Sequence, residues 1–247
     1  MLSIVEYKTE AQPPGLASPT PQTPTYLENP MATLLHIDSS VFPGSASASR
    51  AVTDTFRKAW QEQHPEGTVI YRDLATNPVP HINADAHTAG FAAPDAHTPE
   101  QAAAFAERVR LIEELEAADA ILIGAPMYNY AIPSTLKAWL DNVILMGRTA
   151  MTEESKVKGT PVTVVASRGG SYAPGTPREP YEYVQNYLEA TLRDTLALDL
   201  DFIVPELTMA PHNPAMSELV PLFEASRTKA LDDAAVKAKE LAERFAA

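Results

Sequence analysis

The sequence predicts an α/β protein: one doubly wound parallel sheet of five strands in the order 2-1-3-4-5, with helices on both faces. Two observations carry this. Short apolar runs alternate with segments of helical period along most of the chain. The runs AILIGA (Ala120–Ala125) and PVTVVA (Pro161–Ala166) also lack the polar–apolar alternation of a half-solvated strand, which marks central parallel strands buried on both sides.

The elements follow in order. Ala32–Ile37 reads as the first strand. Residues 49–63 form a helix with Val52, Phe56, Ala59 and Trp60 on one face. Thr68–Arg72 is a short strand, and residues 74–98, with three prolines and no period, form a long loop. Thr98 caps the next helix, with Pro99 at its first position, and that helix runs to about Ala117. After the strand at Ala120 comes a helix from Ser134 to about Met146, capped by Ser134. The strand at Pro161 is followed by a helix at Tyr181–Leu196, a last strand at Asp201–Val204 and a terminal helix at Pro221–Phe245. Residues 1–31 read as a disordered, Pro-rich extension, because TEAQPPGLASPTPQTPTYLENP has too little apolar surface to offset its ordering entropy. Residues 32–247 read as one domain, and Met31 is a candidate start of translation.

Composition narrows the function. The net charge of -13 argues against nucleic acid and against an anionic membrane surface as partners. The chain contains no cysteine, so disulfides, thiolate metal sites and dithiol redox centres are excluded, and redox chemistry would have to come from a bound cofactor. Absent cysteines and a missing signal peptide agree with a cytoplasmic location. His81, Asp85 and His87 lie in the long loop with no further ligand signal, so no metal is expected.

In a sheet of this order, ligands bind beyond the carboxyl ends of the strands beside strand 1. Three loops lie there. The first, DSSVFPGSASASR (Asp38–Arg50), enters a helix. Its serine hydroxyls and the free N–H groups of a helix N-terminus suit the terminal phosphate of a mononucleotide, and Arg50 is a candidate charged partner. The second, GAPMYNYAIPS (Gly124–Ser134), offers aromatic and amide groups for a flat heteroaromatic ring. The third, SRGGSY (Ser167–Tyr172), lets backbone approach a ligand closely at Gly169 and Gly170. Each loop alone also reads as an ordinary turn or cap. Their convergence on one sheet edge favours a ligand site.

PMYNY at Pro126–Tyr130, SRGG at Ser167–Gly170 and the serine loop ending in SASR together resemble the FMN-dependent NADH-azoreductases, also described as NADH:quinone oxidoreductases, over residues 32–247. The resemblance implies a flavodoxin-like fold, noncovalent FMN and a homodimer with active sites at the interface. It implies that Ser40, Ser47, Ala48 and Ser49 surround the phosphate. Met127, Tyr128, Asn129 and Tyr130 would line the ring, and Ser167, Arg168, Gly169 and Gly170 would lie at its pyrimidine side. The first loop is about a residue longer than in some members, which leaves Ser39 and Ser40 both open as the phosphate contact. The expected activity is ping-pong, two-electron reduction of quinones and azo compounds by NADH or NADPH, with the flavin doing the chemistry and Tyr172 lining the acceptor pocket. A flavodoxin-like carrier of single electrons and a non-catalytic module with the same fold are the alternatives. A redox titration separates the carrier from the enzyme.

Overall fold

The computed structural model describes residues 31–245. The extension expected over residues 1–31 lies, apart from Met31, outside the described residues. Five strands, β1 (Thr33–Asp38), β2 (Thr68–Asp73), β3 (Ala120–Gly124), β4 (Pro161–Val165) and β5 (Asp199–Ile203), form one sheet in the order β2-β1-β3-β4-β5. Every pairing is parallel.

Alternation along each strand divides the core in two. Leu35, Ile37, Ile121, Ile123, Val162 and Val164 point to one face. There they meet α3 (Pro99–Glu116), α4 (Ser134–Val143) and α5 (Tyr183–Leu188) through Leu111, Leu115, Trp139, Leu140, Val184 and Leu188. Leu34, Ala120, Leu122, Val165 and Ile203 point to the other, against α1 (Ala48–Gln63) and α6 (Val220–Arg244). Phe56 and Trp60 of α1 are fully buried there, on the face the spacing predicts, and each such side chain contributes roughly 1.5–3 kcal/mol.

Helix ends explain the boundaries. The Ser47 side chain accepts from the Arg50 N–H, so α1 starts at Ala48. Thr98 and Gln101 cap α3 reciprocally, with Pro99 at its first position. The cap expected at Ser134 falls instead on Pro133, whose ψ of 142° is already extended, and no side chain bonds there. That helix stops at Val143, short of Met146. The buried Arg108 guanidinium donates to the Asn142 and Ile144 carbonyls, and Thr149 Oγ1 donates to the Val143 carbonyl, so the chain turns away.

Three further expectations are corrected. Residues 74–98 hold a helix, α2 (Ala84–Ala89), capped by Asn83; six residues packed on α3 are too few to show a period. The stretch read as one helix at Tyr181–Leu196 is a 3-10 turn, then α5, then a π-helical segment, Glu189–Thr195, closing with Leu196 N–H on the Thr191 carbonyl. Strand β5 begins at Asp199, two residues early, because pairing with Pro161–Val165 rather than composition sets an edge strand.

Candidate active site

The carboxyl ends of β1, β3 and β4 place the three loops side by side, and hydrogen bonds join them in a row. Tyr128 OH lies 3.2 Å from Ser40 Oγ and accepts from the Val41 N–H at 3.1 Å, tying the serine loop to the ring loop. Met127 N–H donates to the Ser167 carbonyl at 2.8 Å, tying the ring loop to the glycine loop. All twelve residues expected at the site fall on these loops or on the first turn of α1.

Within the serine loop, chemistry separates neighbours. Ser39 is fully buried, and both its hydroxyl (2.6 Å) and its N–H donate to the Gly124 carbonyl. Its hydroxyl is spent on the sheet. Ser47 and Ser49 hydroxyls are buried 3.1 Å apart at the head of α1. The N–H groups of Ala48 and Ser49 precede the first helical carbonyl partner, and a sixteen-residue helix adds its dipole. This donor set is neutral and convergent, and it suits a phosphate.

Arg50 does not join it. Its guanidinium turns beneath the loop, donating to the Ser40 carbonyl (2.8 Å), Asp73 Oδ1 (2.7 Å) and Tyr71 OH (3.0 Å), and it lies 3.5 Å from Asp38 Oδ2. Asp38 also accepts from Thr53 and Tyr71, and His36 Nε2 stands 3.3 Å away. Burial works against the Asp38 carboxylate, but contact with His36 and the Arg50 charge outweigh it and hold its pKa below the usual value. Burial is also opposed at Asp73, where the bond from Arg50 lowers the pKa. Tyr71 is pushed up to about 12 by burial and by the Asp38 charge. Gly124 serves this buried cluster, since a Cβ there would come within 2.5 Å of Asp38 Oδ1.

In the ring loop, Tyr128 and Ala131 pair their N–H and carbonyl groups, and Asn129 (φ 49°) and Tyr130 (φ 69°) form a tight two-residue turn in left-handed backbone. Asparagine tolerates this conformation; for tyrosine it costs roughly 1–2 kcal/mol. The turn presents Tyr130 half exposed, edge-on to Tyr172 (6.4 Å) and tilted on Tyr181 (5.7 Å). Between this loop and α5 a cavity of about 540 Å³ is lined by Tyr128, Asn129, Ile132, Pro133, Tyr183 and Tyr187. It is lined by the ring loop and by α5, and by no residue of the serine or glycine loops.

The glycine loop rests on a fourth loop that the sequence reading missed. The Thr208, Met209 and Leu207 N–H groups donate to the carbonyls of Arg168, Gly169 and Gly170. A Cβ on Gly169 would lie 2.6 Å from Met209 Cγ. Leu207 turns this loop at φ 60°, and nothing in PELTM (residues 205–209) marks the turn in the sequence. Arg168 contributes backbone to this edge. Its buried guanidinium points to Glu182 and to Gln185 (2.8 Å), pinning the head of α5.

The sheet order and the loops at its carboxyl edge define the class, a flavodoxin-like protein. A family profile describing the flavodoxin-like fold matches residues 32–220. The chain is 83% identical over 217 residues to an FMN-dependent NADH:quinone oxidoreductase of Streptomyces avermitilis, covering 88% of this chain and 100% of that protein. It is 72% identical to a protein of the same description from Streptomyces coelicolor, covering 88% and 98%. An azoreductase structure from Bacillus anthracis superposes with a TM-score of 0.72 at 25% identity, covering 85% of this chain and 100% of that one. The chain belongs to this flavodoxin-like family, among the FMN-dependent NADH:quinone oxidoreductases.

Proposed function

We propose that the chain is an FMN-dependent NAD(P)H:quinone oxidoreductase that also cleaves aromatic azo compounds, with donor and acceptor using one opening in turn. The observation that carries this is the connected row from Arg50 in the first turn of α1 to Ser40, from Ser40 to Tyr128, and from the adjacent Met127 to Ser167. It joins a phosphate-suited donor set to a ring-suited loop and a close-approach glycine loop. The residues present therefore fit FMN. Bound FMN would supply two-electron hydride transfer.

The protein's own part is binding and positioning. Ser40, Ser47 and Ser49 hydroxyls, with the Ala48 and Ser49 N–H groups, would hold the phosphate without a cation, since Arg50 is committed to Asp38 and Asp73. Ser40 rather than Ser39 takes that contact, because the Ser39 hydroxyl is bound to Gly124. Met127, Tyr128, Asn129 and Tyr130 would flank the ring. The Gly169 and Gly170 backbone, with Ser167 and Arg168, would face its polar side. Half-exposed Tyr130, Tyr181 and Tyr183 form a connected aromatic surface beside this edge, which supports a homodimer closing over it. The described helices include none long and apolar enough to cross a membrane, and a cysteine-free chain fits the cytoplasm. The names of the relatives favour NADH as donor.

The test is a steady-state assay of purified protein with FMN, crossing NADH and NADPH against a benzoquinone and an azo dye. A yellow protein giving parallel double-reciprocal lines with NADH and quinone is expected. Protein that fails to bind added FMN refutes the reading, and activity with quinone but not with the azo dye removes azo cleavage alone. Sedimentation velocity decides the dimer.

A further inference from the structure

The segment between the glycine loop and α5 brings two guanidinium groups over one buried ring. Arg168 Cζ stands 5.9 Å and Arg178 Cζ 6.0 Å from the centroid of Tyr172. The two cations differ in what answers them. Arg168 is buried and paired with Glu182, and Glu206 lies 3.9 Å from it. Arg178 is exposed, and its Nη1 lies 3.3 Å from the point that a Cβ on Gly170 would occupy.

The carboxylates nearby are engaged elsewhere. Glu206 accepts from Ser171 Oγ (2.9 Å) and from the Tyr172 N–H (3.1 Å). Glu179 accepts from the Gly175 N–H (2.6 Å), and Glu182 from the Gln185 N–H (2.8 Å) as well as from Arg168. Among the described residues, no carboxylate comes within ion-pair distance of Arg178. A guanidinium laid on an aromatic ring is held in place while its N–H donors stay available. The chain's charge of -13 repels anionic substrates at a distance, so one unanswered cation against the glycine loop sets the local preference.

We infer that Arg178 is a specificity-determining residue that binds an anionic oxygen group on the substrate stacked at Gly169–Gly170: a sulfonate or carboxylate on the acceptor, or the diphosphate of the donor. This role rests on the flavin ring lying against the glycine loop, as proposed above. One charge-assisted bond at a partly solvated site changes affinity about tenfold.

The experiment uses FMN-loaded wild type, Arg178→Gln and Arg178→Lys. Anthraquinone-2-sulfonate and neutral 2-hydroxymethylanthraquinone are titrated onto the oxidised protein by fluorescence quenching. In parallel, kcat/KM is measured for NADH and for N-benzyl-dihydronicotinamide, a hydride donor without a diphosphate. FMN content and circular dichroism show whether each variant is folded. Arg178→Gln should lower one anionic-to-neutral ratio about tenfold, and Arg178→Lys should recover most of it. Loss in the quinone pair identifies the acceptor's anion; loss in the donor pair identifies the diphosphate. Ratios within twofold of wild type in both pairs overturn the role of Arg178 while leaving the flavin placement standing. A wild-type chain that holds no FMN overturns both.

Discussion

Replacing Arg50 by Met should destabilise the protein by about 3 kcal/mol, the low end for removing one partner of a buried ion pair. The guanidinium is buried against two carboxylates, of which Asp38 has 5% and Asp73 19% of its side chain exposed. Met fills much of the volume but leaves both carboxylates without their cation and the Ser40 carbonyl without its donor. Asp38 keeps its bonds from Thr53 and Tyr71, which is why the low end applies. For a chain of this size the melting midpoint should fall by about 6–12 °C. Urea denaturation of the FMN-free protein measures the loss directly. Adding Asp73→Asn to Arg50→Met removes one stranded charge and should return about 1 kcal/mol. The pH dependence has a fixed sign. Both aspartates have lowered pKa values in the folded chain, so their contribution is complete above the ordinary carboxylate value near 4 and is lost as pH falls through the folded values. The deficit of Arg50→Met should accordingly shrink in acid. A loss under about 1 kcal/mol at pH 7, or no recovery with Asp73→Asn, would refute the reasoning that Arg50 works beneath the loop rather than in it.

Asn129→Val should cost roughly 1–2 kcal/mol, because a β-branched residue is forced to φ 49°, whereas Asn129→Gly should be near neutral in the same denaturation assay. Thr98→Ala should cost about 1 kcal/mol through loss of the capping box, with FMN affinity unchanged by titration. Gly169→Ala places a Cβ 2.6 Å from Met209 Cγ, and the half-exposed methionine can yield. The expected result is a small stability cost with about tenfold weaker FMN binding by fluorescence titration, as the loop shifts. Ser39→Ala should act on stability through the lost Gly124 bond, while Ser40→Ala should act on FMN affinity, and the two variants separate the neighbouring roles.

The sheet, its order and the three loops at its carboxyl edge were legible in the sequence because each carries a local signal. Unalternating runs at Ala120 and Pro161 signal strands buried twice, helical spacing at Val52–Trp60 signals one buried face, and paired glycines signal close approach. Tertiary structure decided what no local pattern encodes: which donors remain free. Asp38 and Asp73 lie 35 residues apart in sequence yet flank one guanidinium, so Arg50 is left out of the proposed phosphate set. Gly124 stands on the neighbouring strand and consumes the Ser39 hydroxyl. Glu182 and Glu206 meet at Arg168, which leaves Arg178, beside the glycine loop, without an ion-pair partner among the described residues. A side chain's type fixes what it can bind, but its availability depends on partners that only the packed sheet edge brings within reach.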